Sequence, residues 1–111
     1  MKEYSVDYLN KLAMEIILYA SECRDFISEA FTCAVQENGD FDKIKTLLVQ
    51  AREKITQAHK LQTDVIQSTV YNDHQQITML FIHGQDTLMT VSSELFVCEN
   101  ILQLYYQKMI K

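Results

Sequence analysis

The sequence predicts an all-α protein, an antiparallel up-down-up bundle of three long helices, and three observations indicate this fold. The 111 residues include no proline and two glycines, so helices can run long without interruption. Apolar residues recur at alternating intervals of three and four along three segments, a period typical of helix bundles. Short turns join the segments, which favours antiparallel neighbours. We expect helices of ~30 residues and ~45 Å, in a single domain spanning residues 1–111.

The first segment carries an apolar stripe that includes two of the three cysteines. Cysteines on such a stripe are explained as small buried side chains, without a disulfide or metal role. We expect this helix to end near Asn38 and Gly39, where glycine can adopt the left-handed conformation that closes many helices. The stripe consists of Leu9, Leu12, Ile16, Tyr19, Cys23, Phe26, Ala30 and Cys33.

The second helix is expected to begin after Asp40, because an aspartate there can accept hydrogen bonds from the free N–H groups of the first turn. The periodic pattern fades around Ser68–Tyr71, and Asn72 and Asp73 predict a turn and a cap. The apolar stripe consists of Phe41, Ile44, Leu48, Ala51, Ile55, Ala58, Leu61 and Val65.

The third segment carries two apolar stripes instead of one. A helix of a three-helix bundle buries one broad face in its own chain. We therefore infer that this helix packs on its own bundle on one side and on other subunits on the other. The first stripe consists of Ile77, Phe81, Gly84, Leu88, Val91, Leu95, Cys98, Leu102, Tyr105 and Met109, and the second of Met79, Ile82, Met89 and Phe96.

Composition and charge exclude several classes of protein. The net charge of −5 argues against binding to nucleic acid, which needs clustered lysine and arginine. The longest apolar run, Ile16–Ala20, is too short to span a bilayer, and the N-terminal residues lack a hydrophobic signal region. The odd number of cysteines, with no CxxC pair, favours buried thiols in a reducing compartment. We expect a cytoplasmic protein.

Polar side chains interrupt the apolar third segment at His83 and Asp86. The two residues are three apart, so they lie on neighbouring parts of one face. Asp86 falls in the second stripe, between Ile82 and Met89. A carboxylate buried there must be protonated, hydrogen-bonded or bound to a cation. On periodicity alone, such residues are more often structural than catalytic.

Three segments of the chain together resemble one protein family. Residues 83–90 resemble the signature H-A-Q-D-H-L-M-T at His83, Gln85, Asp86, Leu88, Met89 and Thr90. Residues 58–63 resemble the pattern A-H-x-x-Q-T, and residues 39–41 match a G-D-F turn. These are features of the lactose/cellobiose/chitobiose-type IIA components of the bacterial sugar phosphotransferase system. The similarity covers roughly residues 14–107 in one register.

The resemblance implies a homotrimer of three-helix subunits, a nine-helix assembly. It implies that His83 is phosphorylated on its imidazole and that Asp86 meets its symmetry mates around a divalent cation, typically Mg²⁺. The implied activity is that of a phosphotransferase component, which accepts a phosphoryl group from the phosphocarrier HPr and passes it to a cysteine of the IIB component. The implied cargo is a β-linked disaccharide (cellobiose, chitobiose or lactose), and the membrane is reached only through the IIC component.

Three polar residues are candidates for supporting His83. Thr87 and Thr90 are hydrogen-bond donors on the same helix. Gln85 is two residues further on, so it points away from its own His83 and would more readily reach that of a neighbouring subunit. Gly84 and Thr87 depart from the family pattern, which has alanine and a second histidine there. We expect Gly84 to let a partner protein or the neighbouring helix approach closely.

Two other functions are compatible with the sequence. The first is a non-catalytic or regulatory helical trimer that acts by protein binding. The second is a purely structural oligomer in which His83 and Asp86 form a buried hydrogen-bonded pair. Of the other histidines, His59 is expected to make a structural or interhelix hydrogen bond and His74 to lie solvated in a turn.

Overall fold

The computed structural model describes residues 4–36, 39–72 and 74–109, which form three long helices without a β-strand among them. Helix α1 spans Val6–Val35, α2 spans Phe41–Tyr71 and α3 spans Met79–Met109. The bundle measures 57 × 20 × 17 Å. The predicted all-α, three-helix fold is confirmed. Along the described helices, no stretch is long and apolar enough to cross a membrane.

Helices α1 and α3 are parallel and keep one register along their length. Near the start of α1, the backbone N–H of Tyr4 donates to Oε1 of Gln75 at 2.7 Å, and Nε2 of Gln75 donates to the carbonyl of Tyr4 at 2.9 Å. Further along, Nε and Nη2 of Arg24 donate to the two carboxylate oxygens of Glu94 at 2.9 and 3.0 Å. Because the partners are 71 and 70 residues apart in the two cases, the helices run in the same direction.

Helix α2 runs antiparallel to both neighbours, as the up-down-up prediction requires. Phe41, its first residue, packs edge-on against Tyr106 near the end of α3, with ring centroids 4.7 Å apart. Further along α2, Nζ of Lys54 lies 2.7 Å from Oε2 of Glu22 on α1. The ion pair is partly exposed, so it contributes little to stability, but it marks which faces of α1 and α2 meet.

The stripes predicted for α1 and α2 and the first stripe of α3 line the core of the bundle. Two members of the first stripe of α3 lie outside the core: Ile77 precedes the helix and is 39% exposed, and Tyr105 is 37% exposed. The side chains that are most completely buried come from all three helices and include Leu9, Ile16, Cys23, Ile55, Val65, Phe81, Leu88, Val91, Leu95 and Cys98.

The end of α1 differs from the prediction. The helix ends at Val35 with an extended Gln36 as its C-cap, so Gly39 does not close it in a left-handed conformation. Asn38 lies outside the described residues. Gly39 instead packs tightly on the last turn of α1, because a Cβ there would stand 2.8 Å from the carbonyl oxygen of Cys33. Close approach of the backbone, rather than a positive φ, requires glycine at this position.

The start of α2 and the turn that follows this helix agree with the prediction. Oδ1 of Asp40 accepts from the backbone N–H groups of the first turn of α2 at 3.0 and 3.2 Å, which confirms the predicted cap. Asn72 caps the end of α2, and Asp73 lies outside the described residues. Helix α3 begins at Met79, and its capping side chain is Thr78, whose hydroxyl accepts from the N–H of Phe81 at 3.1 Å.

Gly84 brings α1 and α3 into close contact. A Cβ at position 84 would lie 3.2 Å from the carbonyl oxygen of Ala13 and 3.5 Å from its Cα. Both residues are buried. The sequence predicts that either a partner protein or a neighbouring helix comes close to Gly84, and in the structure that neighbour is helix α1.

Replacing Gly84 with valine is expected to lower the free energy of unfolding by about 1–3 kcal/mol, because the branched side chain presses on the backbone of α1. Gly84→Ala should change it less, since a gain of ~1 kcal/mol in helix propensity opposes the tight contact. Urea denaturation at fixed protein concentration measures both. Thr56→Val, at an exposed position of α2, is the control and should have little effect. A Gly84→Val protein as stable as the wild type would contradict the close packing.

The buried thiols of Cys23 and Cys98 are expected to be unreactive in the folded protein at pH 8. Burial raises the pKa of each thiol from 9.0 to about 11, and the thiolate is the reactive form. Because the folded pKa exceeds the unfolded one, these thiols do not lower the free energy of unfolding below pH 9. As the pH rises from 9 towards 11, the unfolded state loses thiol protons that the folded state keeps, and the free energy of unfolding falls. The test adds a disulfide reagent to the Cys33→Ala protein, with and without urea, and measures how fast the two remaining thiols are labelled. Equal labelling rates in both conditions would contradict their burial.

Candidate functional site

Apart from its core stripe, α3 presents three differently placed faces. One flank faces α1, as the Arg24–Glu94 ion pair shows, and the other faces α2, as the approach of Ser92 to His59 shows. The third face points away from the bundle. By the helical period, the α1 flank carries His83, Thr87, Thr90 and Glu94, the α2 flank carries Gln85, Ser92 and Glu99, and the outer face carries Ile82, Asp86, Met89 and Phe96.

His83 lies on the α1 flank in the second turn of α3, and its side chain is exposed. The residue before it is on the outer face, and Gly84 after it is buried against α1. A rigid, buried backbone thus presents an imidazole that an incoming protein can reach. Among the described residues, no group forms a hydrogen bond with the ring nitrogens.

The two threonines of the α1 flank are placed differently with respect to His83. The hydroxyl of Thr87 donates to the backbone carbonyl of His83 at 2.9 Å, so its proton is used within the helix. Thr90 is exposed and lies seven residues beyond His83, ~10 Å along the axis. Thr87 therefore supports the backbone that carries His83, while Thr90 stands two turns away on the same flank.

Gln85 is half-buried on the α2 flank, and in one subunit it faces away from the imidazole of His83, as predicted. His59 also lies on this side: its Nε2 is 3.5 Å from Oγ of Ser92, which agrees with the predicted interhelix contact. His74 is exposed in the turn after α2, where its N–H donates to Oδ1 of Asn72 at 3.0 Å.

Asp86 is exposed on the outer face, which it shares with large apolar side chains. Ile82, Met89 and Phe96 on this face are 46%, 50% and 65% exposed. Within the part of the chain that the structure describes, no three His, Cys, Asp or Glu side chains converge on a metal-binding position. The described part of the chain therefore offers one carboxylate here, on a face that its own bundle leaves uncovered.

On the α1 flank, three turns after His83, the negative charge of Glu94 is paired with the positive charge of Arg24 on α1. The hydrogen bonds from Arg24 to Glu94, and the charge of that carboxylate, raise the pKa of Arg24 above its usual value. Both side chains are partly exposed, so the pair adds little stability. The ion pair is informative about geometry, because it shows which positions of α1 and α3 meet.

Asn10 is a polar residue of α1, on the side of that helix that faces α3, and nothing in the sequence pattern singles it out. Its Oδ1 is buried and has no hydrogen-bond partner among the described residues. The residue stands beside the apolar stripe of α1, next to Leu9, and the stripe alone does not tell which flank of α1 faces α3. The register of α1 on α3 supplies that information.

Comparison with known proteins agrees with this architecture. Residues 11–106 match the family model described as PTS system, lactose/cellobiose specific IIA subunit. The lactose-specific EIIA component of Lactococcus lactis subsp. lactis is 35% identical over 94 residues, which cover 85% of this chain and 88% of that protein. The lichenan-specific phosphotransferase enzyme IIA component of Bacillus subtilis is 29% identical over 97 residues, covering 87% and 86%.

The fold comparison gives the same result. The crystal structure of the PTS cellobiose-specific enzyme IIA from Bacillus anthracis superposes with a TM-score of 0.82 at 28% identity, covering 97% of this chain and 95% of that one. Sequence and structure therefore agree over almost the whole bundle. The chain belongs to the lactose/cellobiose-specific IIA family of the phosphotransferase system.

Proposed function

We propose that this protein is a phosphohistidine carrier, which accepts a phosphoryl group from phosphorylated HPr on His83 and passes it to a cysteine of its IIB component. The observation that carries the proposal is the position of His83. An exposed imidazole stands on a backbone held by Gly84 against α1 and by the hydroxyl of Thr87. Phosphoryl transfer depends mainly on positioning and charge stabilisation, and a reactive group on a rigid helix meets the first requirement.

The chemistry needs a neutral imidazole at His83. A ring nitrogen with a free lone pair attacks the phosphorus, and a P–N bond forms as the P–N bond of the donor histidine breaks. The donor ring keeps the electron pair of the broken bond. In the second step a thiolate of IIB attacks the same phosphorus, and the electron pair returns to His83. Imidazole suits both roles because its neutral ring keeps one nitrogen free of a proton.

The proposed cargo is a β-linked disaccharide. The relatives named above carry lactose, lichenan and cellobiose in their names, and lactose and cellobiose are both β-linked. Sugar recognition in such a system belongs to the IIB and IIC components, so the carrier has to recognise proteins only. In this proposal it works in the cytoplasm and reaches the membrane only through IIC.

We further propose that the outer face of α3 closes a homotrimer of nine helices. The support is that the large apolar side chains of Ile82, Met89 and Phe96 share one face of α3 and are 46% to 65% exposed, and contiguous exposed apolar surface is typical of protein–protein contact sites. Around a threefold axis this face brings together three copies of Asp86. Carboxylate oxygens are the ligands that Mg²⁺ prefers, so the residue type fits the ion, provided that each subunit supplies one ligand. Bound Mg²⁺ would relieve the repulsion between the carboxylates.

Incubation with phosphoenolpyruvate, enzyme I and HPr is expected to add one acid-labile phosphoryl group, because His83 is accessible to the donor. Intact-mass measurement detects the addition. His83→Ala should remove it, whereas His59→Ala, which changes a half-buried histidine on the other flank, should keep it. No addition to a folded wild-type protein would contradict the carrier function and favour a regulatory trimer that acts by protein binding.

Replacing Phe96 with lysine is expected to convert the trimer to monomers, because the charge would be buried in the apolar interface. Asp86→Leu should keep the trimer and make its stability independent of Mg²⁺. Sedimentation analysis, with and without Mg²⁺, measures both variants, and Gln50→Lys at an exposed position of α2 is the control. A trimeric Phe96→Lys protein, or a monomeric Asp86→Leu protein, would contradict the proposed assembly.

A further inference from the structure

We propose that Asn10 of α1 is a positioning residue for His83. In the side-chain rotamer that this proposal assigns to His83, the side-chain carbonyl of Asn10 accepts a hydrogen bond from one imidazole nitrogen, which leaves the other nitrogen free to receive the phosphoryl group. This role rests on the proposed phosphorylation of His83. It belongs to a side chain outside the sequence motif and on a different helix.

The ion pair between Arg24 and Glu94 shows which positions of α1 and α3 meet. Ala13 and His83 lie eleven residues before Arg24 and Glu94, respectively. Eleven residues are about three helical turns, so each step returns to the same face of its helix. The contact between Gly84 and Ala13 shows that the register holds at this level. His83 therefore stands opposite Ala13, whose methyl group offers no polar partner.

Asn10 is the polar side chain of α1 one turn away from that position. It precedes Ala13 by ~4.5 Å along the axis. Side chains in both parallel helices lean towards the N-terminus, and the imidazole of His83, which is longer than the amide of Asn10, reaches further in that direction, from the level of Ala13 towards that of Asn10. Asn10 also lies about four turns before Arg24 on the same flank of α1, on the side that faces α3.

The unsatisfied side-chain oxygen of Asn10 is a second observation in favour of His83 as its partner. Oδ1 of Asn10 is buried and has no hydrogen-bond partner among the described residues. Leaving a buried acceptor unsatisfied is costly, so a donor within reach is favoured. The side chain of His83 is exposed. It carries one N–H in its neutral form, which matches the single acceptor that Asn10 leaves open.

The proposed hydrogen bond has a chemical consequence. In a neutral imidazole one nitrogen is a donor and the other an acceptor, and a bond made by the first selects the tautomer. Asn10 thereby keeps the nucleophilic lone pair of His83 on the nitrogen that faces solvent. After transfer the ring retains its N–H and gains positive character, and this strengthens the bond to Asn10.

The tautomer of His83 is the direct readout. Nitrogen-15 NMR of the unphosphorylated imidazole is expected to show one predominant tautomer in the wild type and a mixture in Asn10→Leu, which has a similar shape but no acceptor. Asn10→Asp retains the acceptor and should restore the wild-type pattern. Ser21→Leu is the matched control: Ser21 lies eleven residues after Asn10 on the same face and is exposed, so its replacement should leave the tautomer unchanged.

The rate of phosphoryl acceptance from phosphorylated HPr is the second readout. Asn10→Leu should lower it about tenfold, the loss expected for one hydrogen bond, while Asn10→Asp and Ser21→Leu stay near the wild-type rate. An Asn10→Leu protein with the wild-type tautomer and rate would overturn the role of Asn10. If the wild type itself accepts no phosphoryl group, the carrier function fails, and the NMR comparison still decides whether Asn10 orients the imidazole.

Discussion

The close packing of α1 on α3 is the contact on which the rest of the structure depends. Gly84 has no side chain and Ala13 has a methyl group, so the two helices approach until a Cβ at position 84 would press on the backbone of α1. That approach fixes their register, which the Arg24–Glu94 pair repeats three turns later. Because His83 directly precedes Gly84, the contact also fixes the flank and the height at which the imidazole reaches solvent.

The side chains of α3 point to different surroundings on different faces of the helix. One stripe buries apolar side chains in the subunit, and the α1 flank presents His83. The outer face leaves Ile82, Met89 and Phe96 exposed with Asp86 among them. A helix that carries core residues, an exposed histidine and a further apolar surface on separate faces leaves room for both the proposed assembly and the proposed docking. This division explains why the most apolar helix of the chain also holds its polar motif.

Much of this arrangement is readable from the sequence, and the remainder has identifiable causes. Helical periodicity predicts the three helices, their buried stripes and the unused stripe of α3, because burial imposes it on every turn. The ends of the helices are less predictable. Gly39 is required by a close contact with the backbone of α1, and Thr78 caps α3 after several residues that are not helical. Asn10 escapes sequence reasoning because its role depends on how two helices distant in the chain are aligned.

The measurement that tests the carrier account most directly is onward transfer. The protein phosphorylated on His83 is purified away from HPr and mixed with its IIB component in a single turnover. The account predicts that the phosphoryl group leaves His83 and appears on a cysteine of IIB without further phosphoenolpyruvate, since the P–N bond already holds the group in a transferable form. A phosphorylated protein that binds IIB and keeps its phosphoryl group would contradict the account and identify the modification as a regulatory mark.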